Sequence, residues 1–147
     1  MAVVGCSPNP SRASHAIARF LMGEGYRVIP VNPGHASILG QACFPSLAAI
    51  PEGVRVDIVD VFRRSEAVGE VADQAIARGT SFFFMQLGVA DAEAAARLEA
   101  AGIGVAMDRC ILVEHGRLGI RPKSRNAATE SDVSSLSRRS GTTGTKD

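Results

Sequence analysis

Short apolar runs alternate with amphipathic segments along the first 120 residues, and this alternation limits the possible folds more than any other feature of the chain. The apolar runs predict strands at residues 2–6, 26–31, 56–62, 82–85 and 104–107, with a further short strand at 111–113. Such β-α-β alternation is typical of a parallel sheet with helices on both faces. We therefore predict an α/β fold, a Rossmann-like doubly wound parallel sheet of about five strands, in a single domain.

The segments between these runs carry helix signals. Ile17, Phe20 and Leu21 share one helical face in a segment that ends near Glu24. Ser65 is a suitable N-cap for a helix that reaches Arg78, and Asp91 is a suitable N-cap for an alanine-rich helix that ends near Gly102. The segments 38–40 and 46–50 are expected to be connecting turns.

The charge is divided between two parts of the chain. The 147 residues carry a net charge of +1, but residues 1–120 hold 10 arginines against 12 carboxylates, whereas residues 121–147 hold 6 basic residues against 3 acidic ones. The second part is rich in Ser, Thr, Arg and Gly, and such a composition buries too little apolar surface to offset the entropy of ordering. We predict a single folded domain over 1–120 and a disordered Ser/Thr/Arg-rich tail over 121–147.

Composition also excludes several classes of protein. The near-neutral balance argues against a dedicated nucleic-acid binder, and no apolar run approaches the roughly 18 residues that span a bilayer. Three widely spaced cysteines without a C-x-x-C motif indicate reduced thiols and a cytoplasmic location. We predict no metal site and no membrane or nucleic-acid partner, and the sequence identifies no protein partner.

The loop after the first predicted strand is the strongest candidate for ligand binding. It joins that strand to the first helix, whose amino-terminal dipole favours an anion. The loop offers hydroxyl groups, backbone N–H groups and a guanidinium, but after Gly5 no glycine occurs before Gly23, so the G-x-G-x-x-G fingerprint is absent. The candidate residues here are Gly5, Ser7, Pro8, Asn9, Pro10, Arg12 and Ser14.

The loop after the second predicted strand narrows the choice of ligand. NAD-binding sheets place a carboxylate there to hold the ribose hydroxyls, whereas this strand ends in Asn32 and is followed by His35. A site for a ribose that carries a phosphate does not need a carboxylate at this position. Coenzyme A has a 3′-phosphate on its ribose, and NADP has a 2′-phosphate.

The remaining loops supply further candidates. Arg63 and Arg64 precede a predicted helix and suit phosphate, while Met85 and Gln86 end the fourth strand. No Ser/His/Asp or Cys/His set has a local spacing that indicates catalysis. His15 is interpreted mainly as a packing or capping residue, and a thiol role for Cys110 remains open.

Five ordered motifs within residues 1–116 resemble the small stand-alone CoA-binding domain proteins of bacteria. The motifs are VVGCSPNP at 3–10, VNP at 31–33, DIVDVFRRSE at 57–66, MQLG at 85–88 and MDRCI at 107–111. This family is similar to the amino-terminal CoA-binding domain of the succinyl-CoA synthetase α subunit. The resemblance implies a Rossmann-like fold that holds CoA at the ends of the strands, and it thus identifies residues 1–120 as a CoA-binding Rossmann-like domain.

The resemblance also implies contact residues. Ser7 to Pro10, His35 and residues 84–86 match the parts of the synthetase domain that contact CoA. His35 stands where the synthetase has a lysine, and Arg12, Arg63 or Arg64 could supply that cation. The phosphorylated histidine of the synthetase belongs to a second domain, which residues 1–147 do not contain.

Three functions follow as hypotheses. The first is non-catalytic binding of coenzyme A or an acyl-CoA at the carboxyl ends of the strands. The second is a regulator or partner subunit that senses NAD(P) or CoA, and the third is a thiol-dependent enzyme that uses Cys110.

Overall fold

A computed structural model describes residues 1–118. Its central sheet has five parallel strands, and the chain forms them wherever a buried apolar run occurs. The strands are β1 (Ala2–Val4), β2 (Ile29–Val31), β5 (Ile58–Val61), β6 (Phe82–Met85) and β7 (Gly104–Ala106). The predicted Rossmann-like fold is therefore confirmed, with each strand shorter than or equal to its predicted run. The predicted tail at 121–147 lies outside the described residues.

The strand order in the sheet is β2-β1-β5-β6-β7. The chain therefore moves outward from β1 to β2, returns past β1 to β5, and then continues to the opposite edge. This is the order of flavodoxin-like doubly wound sheets, whose switch point lies between the first and third strands. Here that point lies between β1 and β5, where Ala2, Val3 and Val4 are in register with Val59, Asp60 and Val61.

Within residues 1–118, four α-helices complete the three layers. They are α1 (Ala13–Gly23), α2 (Val68–Arg78), α3 (Ala92–Ala100) and α4 (Ile111–Arg117). Successive strand residues face opposite sides of the sheet, so Val59 and Val61 pack in one apolar core with the buried faces of α2 and α3. Val3 and Phe84 belong to a second core with Ile17, Leu21 and Ile111 from α1 and α4.

The segment between β2 and β5 forms a small hairpin. Strands β3 (Ser37–Ile38) and β4 (Gln41–Ala42) pair antiparallel around Leu39 and Gly40. A single parallel bridge from Val31 to Phe44 continues the main sheet beside β2. The sequence had indicated a turn at 38–40, and the turn is present between two short strands.

The prediction of a strand at residues 111–113 is wrong, because these residues open α4. Three consecutive β-branched and aliphatic residues suggested a strand, but Ile111 and His115 are the buried positions and Val113 is 61% exposed. Burial at positions i and i+4 is the pattern of a helix that packs through one face.

The cap assignments had different outcomes. Asp91 caps α3 as predicted, with its Oδ1 accepting a hydrogen bond from the Ala94 N–H at 3.0 Å. Ser65 is not the N-cap of α2; it begins a short 3₁₀ turn over Ser65–Ala67, and its Oγ accepts a hydrogen bond from the Ala90 N–H at 3.0 Å. Within residues 1–118, no helix is long and apolar enough to cross a membrane.

Candidate functional site

An open cavity of about 430 Å³ lies at the carboxyl ends of the strands, at the switch point between β1 and β5. Ligands of doubly wound sheets bind in this position. The lining comes from the ends of β1, β5, β6 and β7 and from the start of α1. The residues are Gly5, Ser7, Arg12, Ala13, Ser14, Ile17, Phe62, Arg63, Arg64, Gln86, Leu87, Val89 and Cys110.

Gly5 brings the first two loops of the cavity together. Its backbone has a φ of 84°, and a Cβ at this position would lie 2.5 Å from the carbonyl oxygen of Phe62. A side chain is excluded by this contact as well as by the left-handed conformation. The chain after β1 therefore runs directly beside the chain after β5, which carries Arg63.

Internal hydrogen bonds hold the first loop in one shape. Ser14 Oγ accepts from the Ser7 N–H at 2.9 Å, and Ser7 Oγ accepts from the Asn9 N–H at 3.0 Å. The buried His15 has its Nδ1 2.9 Å from the carbonyl oxygen of Ser7. Each serine hydroxyl that accepts a hydrogen bond keeps its own proton, so Ser7 and Ser14 can still donate to an anion.

The amino-terminal end of α1 adds positive potential to the cavity. Arg12 occupies the N-cap position without a side-chain cap, and the first turn contains no acidic residue. Ala13 and Ser14, the first two residues of this 11-residue helix, line the cavity. The partial positive charge of the helix end is therefore not offset by a carboxylate of its own first turn.

Three arginines surround the cavity without ion pairs. Arg12, Arg63 and Arg64 are exposed, and none of the ion pairs within residues 1–118 includes them. Arg97 and Arg117, by contrast, pair with Asp73 and Glu114. The lining contains three guanidinium groups and no Asp or Glu, so it suits a ligand with several negative charges.

The wall becomes less charged toward β7. Gln86 follows β6 and is only 4% exposed, and its Oε1 accepts from the Ile111 N–H at 3.1 Å. No hydrogen bond within residues 1–118 uses its Nε2. Leu87 and Val89 are adjacent apolar residues, and Cys110 lines the cavity after β7. From β1 to β7, the wall therefore consists of the first loop, the arginines after β5, the Gln86 amide after β6 and the Cys110 thiol after β7.

Two hydrogen bonds fix the loop that carries Cys110. Asp108 adopts a left-handed conformation with a φ of 57°, and its Oδ1 accepts from the Gly88 N–H at 2.7 Å. The Arg109 N–H donates to the carbonyl oxygen of Met85 at 3.2 Å. The ends of β6 and β7 are thus connected, since left-handed backbone at a non-glycine residue persists where surrounding contacts hold it.

Cysteines away from the cavity are buried. Cys6 is fully buried, and its burial, together with the charge of the neighbouring Cys43, raises the pKa of its thiol to about 11. Burial also raises the pKa of Cys43. A high pKa lowers the thiolate fraction at neutral pH, so both thiols are poor nucleophiles.

Several predicted site residues do not line the cavity. Pro8, Asn9 and Pro10 form the exposed part of the first loop. Asn32 has a connecting role, since its Nδ2 donates to the Cys6 carbonyl oxygen at 2.8 Å. His35 is exposed on the loop after β2, beyond the lining.

Met85 is fully buried within the core that packs against α2 and α3. The structure therefore brings together seven of the predicted positions, namely Gly5, Ser7, Arg12, Ser14, Arg63, Arg64 and Gln86.

The sequence reasoning missed two features. The apolar lining residues Ile17, Phe62 and Val89 were not recognised as neighbours, because they are separated by up to 72 positions and meet only in the folded chain. Asp60 is fully buried in β5, and neither carboxylate oxygen has a hydrogen-bond partner within residues 1–118. A carboxylate inside an otherwise apolar strand was the available signal.

No group of three or more His, Cys, Asp or Glu side chains in residues 1–118 is arranged to hold a metal ion.

Comparison with known proteins gives consistent matches. The family model described as "CoA binding domain" matches residues 1–116. The protein YneT of Bacillus subtilis (strain 168) is 40% identical over 115 residues, which cover 78% of this chain and 84% of YneT. The solved structure of a hypothetical protein from Pyrococcus horikoshii OT3 is 35% identical with a TM-score of 0.76, covering 80% of this chain and 81% of that one.

A larger protein matches only part of this chain. The acetate–CoA ligase (ADP-forming) I of Archaeoglobus fulgidus is 38% identical over 61 residues, which are 42% of this chain and 9% of the ligase. The likeness is therefore confined to a small part of that protein.

Proposed function

This chain belongs to the CoA-binding domain family, and we propose that it binds coenzyme A, or an acyl ester of it, at the switch-point cavity without catalysing a reaction. The proposal rests above all on one observation: within residues 1–118, three arginines without an ion pair and a helix end without a side-chain cap surround a cavity whose wall has no carboxylate. Coenzyme A carries a diphosphate and a 3′-phosphate, which suit this cationic lining.

The order of groups along the wall supports one orientation of bound coenzyme A, with the diphosphate at the first loop and the pantetheine arm toward Cys110. The first loop and the start of α1 suit the diphosphate, because backbone N–H groups and the helix dipole favour anions there. The loop after β2 has Asn32 and His35 where an NAD site has a carboxylate, so a phosphorylated ribose would meet no like charge. The pantetheine arm would then pass Phe62 and Gln86 toward Cys110.

The non-catalytic part of the proposal is supported by the composition of the lining. Among residues 1–118, neither a histidine nor a carboxylate lines the wall, and the Nδ1 of the buried His15 lies against the Ser7 carbonyl oxygen. The cavity thus provides groups that bind and orient a polyanion, while residues 1–118 place no acid–base pair against it.

Isothermal titration calorimetry with CoA, dephospho-CoA and NAD tests the binding. We expect CoA to bind most tightly, and removal of the 3′-phosphate to weaken binding by about 1–3 kcal/mol, the scale of hydrogen bonds to a charged group. NAD lacks this phosphate and should bind more weakly. Equal or tighter binding of NAD, or no binding of CoA, would refute the proposal.

Arginine variants locate the ligand. Arg63→Ala should weaken CoA binding by roughly 10- to 100-fold, because it removes a charge-assisted contact to phosphate. Arg55→Ala is a matched control, since Arg55 is also exposed but pairs with Asp57, away from the cavity lining. If both variants weaken CoA binding equally, the ligand does not occupy this cavity.

A further inference from the structure

The thiol that lines the switch-point cavity differs from the other two cysteines of the chain. Cys110 is partly exposed and forms part of the wall, whereas Cys6 and Cys43 are buried in the core shared by α1 and α4. A soluble disulfide can therefore reach Cys110 through the cavity. Access to either of the other thiols would require the core to open.

A buried amide beside Cys110 points to a ligand that extends to this end of the cavity. Gln86 is 4% exposed, and the hydrogen bond from the Ile111 N–H holds its Oε1, so its Nε2 donor has no partner within residues 1–118. Because Gln86 lines the cavity, this donor is available to a bound acceptor. The amide carbonyl groups of a pantetheine arm supply such acceptors.

The backbone around Cys110 is already held in place. Asp108 accepts from the Gly88 N–H, the Arg109 N–H donates to Met85, and Ile111 donates to Gln86. These contacts connect both sides of Cys110 to the end of β6. The thiol consequently keeps a constant position relative to the arginines that would hold the phosphates.

We propose that Cys110 exchanges with the disulfide of coenzyme A and retains one CoA as a mixed disulfide in the cavity. This inference rests on the proposed function, because the phosphates must bind before the sulfur atoms meet. The Cys110 thiolate attacks one sulfur of CoA disulfide, so that a Cys110–S–S–CoA bond forms as the CoA–S–S–CoA bond breaks. The proton of Cys110 passes through solvent to the released CoA thiolate, and CoA disulfide is the oxidant consumed.

The experiment treats the full chain with CoA disulfide and follows intact mass against time. One CoA should be added per chain, the adduct should be removed by dithiothreitol, and peptide mapping should place it on Cys110. Glutathione disulfide, which has no phosphate, should react at least about tenfold more slowly, because phosphate binding raises the local concentration of the disulfide. Arg63→Ala should slow the reaction with CoA disulfide by a larger factor than the reaction with glutathione disulfide.

Variants and a separate binding measurement complete the design. Cys110→Ser should give no adduct, and Cys43→Ser is the matched control that should keep it. An adduct on Cys6 or Cys43 in the wild-type protein, equal rates for both disulfides, or no adduct at all would overturn the inference. Calorimetry with reduced CoA in the presence of dithiothreitol tests the proposed function alone, so CoA binding without adduct formation rejects this inference and leaves the proposed function standing.

Discussion

Asp60 should make the stability of this protein fall as pH rises. Its side chain is fully buried in β5, between the in-register neighbours Val3 and Phe84, and its two carboxylate oxygens have no hydrogen-bond partner within residues 1–118. Burial raises the pKa of Asp60 from 3.8 to about 8. The folded protein therefore holds this group protonated and neutral at neutral pH, whereas the unfolded chain ionises it.

The size of the effect follows from proton linkage. Between the unfolded pKa of 3.8 and the folded pKa of about 8, the folded state binds one more proton at this site. Stability is then lost as pH rises, at about 1.4 kcal/mol per pH unit. From about pH 5 to about pH 7 the Asp60 contribution should thus fall by about 3 kcal/mol. It should be fully present below about pH 4 and fully lost above about pH 8.

Asp60→Asn removes this titration with little change in shape. Urea unfolding followed by circular dichroism gives the free energy of unfolding of both proteins across this pH range. The difference in the free energy of unfolding between variant and wild type reports on Asp60 alone, because the buried histidines are common to both proteins. As pH rises, the variant should become more stable relative to the wild type. Asp57→Asn is the control, because Asp57 is an exposed carboxylate three residues earlier in the chain. Parallel pH profiles for wild type and Asp60→Asn would show that Asp60 is ionised or solvated, and would refute the reasoning.

Three further predictions concern the loops and one helix cap, and urea unfolding measures each cost. Gly5→Ala should destabilise the fold by at least about 1 kcal/mol more than Gly88→Ala. Both glycines have a φ near 84°, but a Cβ meets the Phe62 carbonyl only at Gly5. Equal costs of the two substitutions would contradict that contact. Asp108→Ala should lower the free energy of unfolding by about 2 kcal/mol, because the hydrogen bond to Gly88 is lost and alanine is disfavoured in the left-handed backbone conformation. Asp108→Gly should lower it by less. The reverse order would exclude backbone strain at this position. Asp91→Ala should cost about 1 kcal/mol and speed amide exchange at Ala94, whereas unchanged exchange would show that the cap does not protect α3.

Much of the fold could be predicted because its signals are local. The run at 82–85 is apolar throughout and is strand β6, and Asp91 stands directly before the helix that it caps. The errors have the same local origin. Residues 111–113 have strand-like side chains, but Ile111 and His115 bury one helical face against α1, and tertiary packing overrides the propensity of a short segment.

The candidate site was predicted loop by loop. Placing function after Gly5, Val31, Phe62, Met85 and Met107 requires only that parallel strands end at one edge, which the alternation of elements already indicates. The sequence could not show that His35 and Met85 lie apart from the cavity while Cys110 lines it. That distinction depends on strand order and on side-chain direction.

The sequence by itself determined the layers of this protein, the approximate position of each strand, and the phosphate-suited chemistry of the first loop, because each depends on residues that are neighbours along the chain. Only the tertiary structure decided that, within residues 1–118, three arginines around one cavity have no ion pair, that the Asp60 carboxylate has no hydrogen-bond partner, and that Gln86 and Cys110 line the same wall. These facts depend on strand order and register, which join residues up to about 100 positions apart, and periodicity within a short window carries no information about them.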